Sequence, residues 1–154
     1  MKKIYHICLS AGNTGLLCRS EEDFKYLVNC IGLAAFDTDT VLLAYAVMSN
    51  HVHCCVRTKD VYSFIKRWRY MYTRYFNRRY HRAGTLGESP FLLEIKGLFH
   101  LLTAVAYVLR NPMHHGVAAT PFGYRYSSVH AAFRKEMGRQ PVRCLPAKSM
   151  YRHI

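Results

Sequence analysis

The sequence lacks the long apolar runs of membrane proteins. No stretch approaches the roughly 20 consecutive apolar residues that span a bilayer. Residues 1 to 6 carry charge without the apolar segment of a signal peptide. We therefore expect a cytoplasmic protein that does not associate with a membrane. With 154 residues, of which 51% are hydrophobic and 14% aromatic, the chain is expected to form an ordered domain with a substantial core.

Paired cysteines are missing as well. The six cysteines show no C-x-x-C spacing, and in a cytoplasmic chain we expect reduced, mostly buried thiols. One of them, Cys55, lies at strand spacing from His51 and His53, which makes a structural zinc protein one hypothesis. It is the least favoured one, because a closed zinc site needs four ligands and no fourth is evident.

Acidic residues are scarce. Nine of them oppose 22 lysines and arginines, which gives a net charge of +13. The excess is confined to two segments, since residues 59–82 hold eight basic residues and one acidic residue, and residues 125–154 hold seven and one. The remainder of the chain is balanced. Clustered positive charge favours a phosphate-binding surface over general solubility, so nucleic acid is the predicted partner.

Two histidines stand two residues apart in a segment typical of a buried strand, residues 49–56 (Ser-Asn-His-Val-His-Cys-Cys-Val). Because strand side chains alternate, His51 and His53 are expected on one face of a sheet. Neutral imidazole is among the commonest metal ligands. The pair is therefore either part of a metal site or two ordinary polar residues on a solvated strand face.

Hydrophobic periodicity divides the chain into strand-like and helix-like segments. Ser20 opens a capping-box-like helix start, and the apolar run at residues 41–48 leads into the histidine strand as in an antiparallel hairpin. We predict one domain over residues 1–130 and a basic extension over residues 131–154, with residues 126–137 compatible with a short helix. The predicted strands are residues 3–10, 41–48, the histidine strand and 91–95, and the predicted helices are residues 20–36, 61–80 and 97–110, the last ending at Asn111-Pro112.

The third predicted helix has an apolar and a polar stripe. Tyr107 and Asn111 lie one turn apart on the polar stripe, which sets this tyrosine apart from one that serves only the core. A phenol has a pKa near 10 and is a poor nucleophile unless its target is polarised. A metal on the two histidines would polarise a phosphodiester, with the Asn111 amide oxygen as a further ligand. The apolar stripe consists of Leu98, Leu101, Leu102, Val105 and Leu109, and the polar stripe of His100, Thr103, Tyr107 and Asn111.

Three segments together resemble the single-tyrosine transposases of the His-hydrophobe-His endonuclease superfamily, especially the REP-associated tyrosine transposases. They are residues 48–53 (Met-Ser-Asn-His-Val-His), residues 72–80 (Tyr-Thr-Arg-Tyr-Phe-Asn-Arg-Arg-Tyr) and residues 107–116 (Tyr-Val-Leu-Arg-Asn-Pro-Met-His-His-Gly). Their order and spacing are similar to the family's across residues 1–130. Ser49 departs from the proline that relatives often have, and residues 84–91 lack the aromatic and basic residues expected of a DNA-contacting loop.

The resemblance implies a ferredoxin-like (RRM-like) α+β core with a central antiparallel sheet. It implies a divalent metal, Mg²⁺ or Mn²⁺, held by His51, His53 and Asn111. Tyr107 falls at the position of the nucleophile, which would attack single-stranded DNA, form a 5′-phosphotyrosine link and rejoin it to another strand at hairpin-forming sites. Related enzymes are monomers or homodimers with shared sites, so the sequence leaves open whose histidines Tyr107 serves.

The basic residues of the second helix are the predicted phosphate contacts, which add salt dependence without reading bases. A second hypothesis is a non-catalytic relative that holds DNA or RNA hairpins on this surface. Retention of both histidines, the tyrosine and the asparagine favours the active enzyme. The predicted DNA-binding residues are Lys66, Arg69, Arg74, Arg78 and Arg79.

Overall fold

The computed structural model describes residues 1–120 and 123–129. In this part of the chain, four strands alternate with three α-helices, and a short 3₁₀ turn, Gly12–Thr14, follows the first strand. The four strands predicted up to residue 95 and the three helices predicted up to residue 110 are all present. In chain order they are β1 (Lys3–Ser10), α1 (Glu21–Asp37), β2 (Val41–Val47), β3 (His51–Thr58), α2 (Val61–Arg79), β4 (Phe91–Ile95) and α3 (Leu98–His114).

The four strands form one antiparallel sheet in the order β2-β3-β1-β4. The chain contains two βαβ units, β1-α1-β2 and β3-α2-β4, and the two strands of each unit are separated in the sheet by one strand of the other unit, as in the ferredoxin-like fold. The β2–β3 hairpin is closed by a bond from the Met48 N–H to the His51 carbonyl, 2.8 Å long. The predicted α+β, ferredoxin-like class is therefore confirmed.

Helices α1 and α2 cover one face of the sheet and enclose the main core. Ser20 caps α1 as predicted, with a reciprocal capping box to Asp23. The apolar stripe of α2 packs inward, and Phe64, Trp68 and Phe76 are almost completely buried. Because β3 alternates, Val52 and Cys54 also face this core.

Helix α3 covers the other face, mainly over β2, and here one prediction is wrong and another is only partly right. The helix does not end at Asn111-Pro112 but continues to His114 with Pro112 inside it. A proline in the last turn removes a single backbone bond, and the Val117 N–H closes the helix end on the Pro112 carbonyl at 2.9 Å.

Only part of the predicted apolar stripe of α3 faces the sheet, because Leu101, Val105 and Leu109 are half-buried against the second apolar cluster. Leu98 and Leu102 are 70% and 57% exposed, whereas Ala104 and Val108 face the second apolar cluster. The strand below presents small residues, Ala44 and Ala46, so the helix approaches it through its own small residues. This orientation of the helix carries Asn111 inward, where it is 1% exposed.

The segment after α3 returns to the sheet. Ser127 forms an antiparallel bridge with Ala46, and the Val47 N–H donates to the Tyr126 carbonyl at 2.9 Å, so no helix begins at Tyr126. The rest of that predicted helix and the basic extension, residues 131–154, lie outside the described residues. Among the described residues, none of the helices combines the length and apolarity needed to cross a bilayer.

Candidate active site

The histidine pair lies on β3 beneath α3. In the sheet register Cys8 of β1 stands opposite His53, and Ser10 stands opposite His51, so these side chains share one face. His51 and His53 are 9% and 6% exposed, and their ring centroids are 5.2 Å apart. The alternative of two polar residues on a solvated strand face is therefore wrong, because α3 covers both rings.

His51 is held between two asparagines. Its Nδ1 lies 2.7 Å from the Asn50 Oδ1, and its Nε2 lies 2.6 Å from the Asn111 Oδ1. A neutral imidazole has one N–H, so if Nδ1–H donates to Asn50, the Nε2 lone pair faces an amide oxygen. Two facing lone pairs are favourable only with a cation or proton between them or with the Asn111 amide reversed. In this tautomer the donor set on this side of the ring fits a cation.

Burial keeps the histidines neutral. Burial lowers the pKa of His53 to about 3, with further lowering by the neighbouring His6, His51 and His115. Burial also lowers the pKa of His51, although the hydrogen bond to Asn111 opposes this. At neutral pH both rings thus retain a lone pair, which is the protonation state that a metal ligand needs.

Tyr107 lies beside His53 at the mouth of a groove. Its ring centroid is 5.5 Å from that of His53, edge to face, and its side chain is 48% exposed. The groove between α3 and the β1–β4 part of the sheet is lined by His53, Phe91, Thr103 and Tyr107, among others. Within the described part of the chain the Tyr107 hydroxyl has no hydrogen-bond partner. The phenol is therefore accessible to a strand that enters the groove.

Sequence reasoning missed three neighbours of the site. The Nε2 of His6, on β1, lies 3.0 Å from the Nδ1 of His53, and the His6 ring also contacts Tyr107. Cys8 places its Sγ 3.9 Å from the His53 Nε2. His115, just past α3, has its ring centroid 4.6 Å from that of His51. The spacing of His6 and Cys8 in β1 repeats that of the histidine pair, but only the strand register reveals which residues meet.

The zinc hypothesis finds no support in the geometry. Cys55 faces the same side as the histidines but is fully buried in the apolar cluster under α3, and burial raises the pKa of its thiol to about 12. Among residues 1–120 and 123–129, no three His, Cys, Asp or Glu side chains form a group that could hold a metal. A metal here would depend on the two imidazoles and the Asn111 amide.

The predicted DNA-binding residues all lie on α2, whose inner face packs on the side of the sheet opposite the histidines. Two of them are engaged by backbone carbonyls or by carboxylates. Arg69 donates to the carbonyls of residues 86, 87 and 88 at 2.8–3.3 Å and secures the loop before β4. Arg79 pairs with Glu22 and with the buried carboxylate of Asp23.

The other three remain available for phosphates. Arg74 donates to the exposed Tyr70 hydroxyl at 3.3 Å and lies over its ring at 5.5 Å, and Lys66 and Arg78 have no partner among the described residues. Arg110, which the sequence reasoning did not select, is exposed on α3 three residues after Tyr107 and is also without a partner there. Its position next to Tyr107 on the helix surface was readable from helical spacing.

The fold is shared with solved transposase structures. A REP-associated tyrosine transposase bound to a REP hairpin matches with a TM-score of 0.73 and 16% sequence identity, over 92% of this chain and 85% of that chain. A protein from Deinococcus radiodurans R1 assigned as a transposase matches with a TM-score of 0.51 and 18% identity, over 72% of this chain and 91% of that chain. No protein-family model and no curated protein matches the sequence. The three motifs thus predicted the fold correctly.

Proposed function

We propose that this chain is a metal-dependent single-stranded DNA endonuclease and strand transferase that acts in DNA transposition through a 5′-phosphotyrosine intermediate. The observation that carries the proposal is the position of Tyr107, an accessible phenol beside the His51–His53–Asn111 cluster. Support comes from the fold, which is that of a transposase bound to a hairpin.

In the proposed reaction the Tyr107 oxygen attacks the phosphorus of a single-stranded phosphodiester. The new P–O(Tyr) bond replaces the bond to the 3′-oxygen, and the phenol proton ends on the released 3′-hydroxyl. Another 3′-hydroxyl then attacks the phosphotyrosine in the reverse sense and restores the phenol. Because the covalent link retains the energy of the phosphodiester, no nucleotide cofactor is required.

The metal proposed here is Mg²⁺ or Mn²⁺, held by His51, His53 and Asn111. Two neutral imidazoles and one amide oxygen leave coordination positions for phosphate oxygens and water, which suits these hard cations better than a closed zinc site. When bound, the cation would act as a Lewis acid and polarise the phosphoryl oxygen. His51, His53 and Asn111 would in this way orient the phosphate relative to Tyr107, and the sheet would close the site on the side of β3.

We propose that Tyr107 acts on the histidines of its own chain. The 5.5 Å separation of the Tyr107 and His53 rings supports this arrangement. Mixing Tyr107→Phe protein with His53→Ala protein tests this. If the site is shared between two chains, the mixture should regain activity, because some sites combine the intact tyrosine of one chain with the intact histidines of the other. If the site lies within one chain, the mixture should stay inactive.

The cations are proposed to divide between two tasks. Arg110, exposed beside Tyr107 on α3, is proposed to contact the phosphates next to the cleaved bond. Lys66, Arg74 and Arg78 lie on the helix layer beyond the sheet and are proposed to contact a flanking hairpin stem. Such contacts to phosphates position the substrate without reading its sequence.

The test is a covalent adduct assay. Purified protein is incubated with labelled single strands that form hairpins, with Mn²⁺ or Mg²⁺, and separated on a denaturing gel. Wild type should give a protein–DNA adduct. Tyr107→Phe should give none, while it binds the DNA and unfolds like wild type, because the hydroxyl has no partner to lose. Tyr62→Phe, at a tyrosine that is 72% exposed on α2, is the matched control and should keep the adduct.

The alternative is a binding module that holds DNA or RNA hairpins without cleaving them. Wild-type protein that binds a varied pool of hairpin strands, yet forms no adduct with any of them in either metal, would establish that function in place of the enzyme. Adduct formation by Tyr107→Phe would instead assign the chemistry to another nucleophile.

A further inference from the structure

A second histidine, His6, contacts the buried ligand candidate His53 from the neighbouring strand. The two residues are 47 positions apart in sequence, and the antiparallel register places them on the same face of the sheet. The distance between the His6 Nε2 and the His53 Nδ1 is 3.0 Å, which is a normal hydrogen bond between ring nitrogens.

The direction of this bond is set by the tautomer of His53, which also sets the contact on the other side of the ring. The His53 Nε2 faces the thiol of Cys8 at 3.9 Å, and a protonated thiol is a weak donor whose sulfur is also a weak acceptor. An Nε2 that accepts has no proton of its own, so in the neutral ring the proton is on Nδ1. With the Cys8 thiol as the donor on one side, the Nδ1–H of His53 donates to the Nε2 of His6 on the other.

We propose that His6 is a positioning residue, which fixes the proton of His53 on Nδ1 and so keeps the His53 Nε2 lone pair for a cation. This inference rests on the metal site of the proposed function and extends it to a residue outside the ligand set. Hydrogen bonds from the second nitrogen of a ligating histidine set its tautomer and ring orientation, and their loss typically weakens metal affinity roughly 10- to 100-fold.

The His6 ring has a second contact that links the same residue to the proposed nucleophile. It packs edge-on against Tyr107, with 5.8 Å between ring centroids, and Tyr107 packs likewise against His53 at 5.5 Å. His6 thus borders both the proposed ligand and the proposed nucleophile. A substitution that keeps a flat ring but removes the acceptor, His6→Phe, isolates the hydrogen bond from this packing.

The first experiment determines the tautomer of His53 in metal-free wild-type protein, by two-bond ¹⁵N–¹H correlation of the imidazole rings. The proton is expected on Nδ1. In His6→Phe the two tautomers should mix, because the acceptor is gone. A wild-type His53 with its proton on Nε2 would overturn the inference, whatever the protein does with metals.

The second experiment measures Mn²⁺ affinity by titration calorimetry on folded variants. His6→Phe should weaken binding roughly 10- to 100-fold, and His6→Gln, whose amide oxygen reaches about as far as the histidine Nε2, should restore most of it. The matched control is His100→Phe, the same change at another half-buried histidine of this groove, which bonds to the Lys96 N–H rather than to His53. Its affinity should equal that of wild type.

The outcomes distinguish the two proposals. If wild type and His6→Phe bind Mn²⁺ with equal affinity, the role of His6 is refuted and the metal site stands. Wild type that binds no Mn²⁺ would refute the metal site, and the tautomer measurement would still judge the hydrogen bond. Equal losses in His6→Phe and His6→Gln would show that shape, not the acceptor, matters and would also overturn the inference.

Discussion

Replacing the buried carboxylate of Asp23 with an amide is expected to destabilise the protein strongly. Asp23, at the start of α1, is 0% exposed. Its Oδ2 accepts from the N–H groups of Arg19 and Ser20 at 2.8 and 3.1 Å, and also from the Tyr80 hydroxyl. Its Oδ1 accepts from the Tyr75 hydroxyl at 2.8 Å. The carboxylate thereby joins the first turn of α1 to the last turns of α2.

The magnitude follows from the change in these bonds. In Asp23→Asn one oxygen can keep the two backbone N–H groups, but the NH₂ group faces Arg79, whose Nε is 3.6 Å from the carboxylate. Hydrogen bonds to charged groups contribute roughly 1.5–3 kcal/mol and neutral ones about 0.5–1.5 kcal/mol. Losing the charge and the pairing of Arg79 should therefore cost roughly 2–4 kcal/mol, or a fall in Tm of roughly 5–15 °C for a chain of this size.

The loss should depend on pH. Burial by itself would raise the pKa of Asp23, but bonds from Tyr80, Arg19 and Tyr75 and the charge of Arg79 together lower it below the ordinary value. A lowered pKa in the folded state means that ionised Asp23 stabilises the fold above its unfolded pKa, about 4. This contribution is lost as the pH falls through the folded pKa. The gap between wild type and variant should be full at pH 7 and shrink below about pH 4.

Urea denaturation at pH 7, pH 4 and pH 3 measures this, with Glu22→Gln as the matched control. The Glu22 side chain pairs with the same Arg79 but is 72% exposed, so its loss should cost under about 1 kcal/mol. If Asp23→Asn had the wild-type urea midpoint at pH 7, or lost no more than Glu22→Gln, the reasoning from burial and charge would be wrong.

Three further predictions concern the cations and the site. Arg69→Ala should lower the free energy of unfolding by roughly 1–3 kcal/mol, since it leaves loop carbonyls such as that of Leu86 unpaired. Thermal denaturation measures this loss, and an equal loss in the variant Lys66→Ala, at an exposed residue, would contradict the prediction. Lys66→Ala with Arg78→Ala should reduce the salt slope of hairpin affinity by roughly two, as measured by fluorescence anisotropy, and an unchanged slope would remove both as phosphate contacts. Asn111→Leu should abolish measurable Mn²⁺ binding, whereas Asn111→Asp should retain it. Equal Mn²⁺ affinities of Asn111→Leu and wild type, measured by calorimetry, would exclude Asn111 as a ligand.

The sequence determined the local structure and much of the proposed site. Alternation in β3 placed His51 and His53 on one face, and helical spacing placed Tyr107 and Asn111 one turn apart. Capping chemistry located the start of α1 at Ser20. These features depend on the period of a strand or helix, which neighbouring residues fix by themselves.

Tertiary structure decided which faces meet. The burial of Asn111 and the exposure of Leu98 depend on how α3 is rotated over the small residues of β2, and hydrophobicity alone predicted the face of the helix only in part. The engagement of Arg79 by α1 carboxylates likewise arises from the packing of two helices. Charge counted along α2 therefore overstated the surface free to bind phosphates.

The contact of His6 with His53 shows the limit most clearly. Each residue has an unremarkable place in its own strand, and 47 positions separate them. Only the pairing of β1 with β3 brings them together, and a shift of that register by one residue would move His6 to the opposite face. The sequence by itself determined which side chains lie together on one face of each strand. The tertiary structure decided which residues of other elements those side chains contact, because register and packing are set by the whole sheet and not by local periodicity.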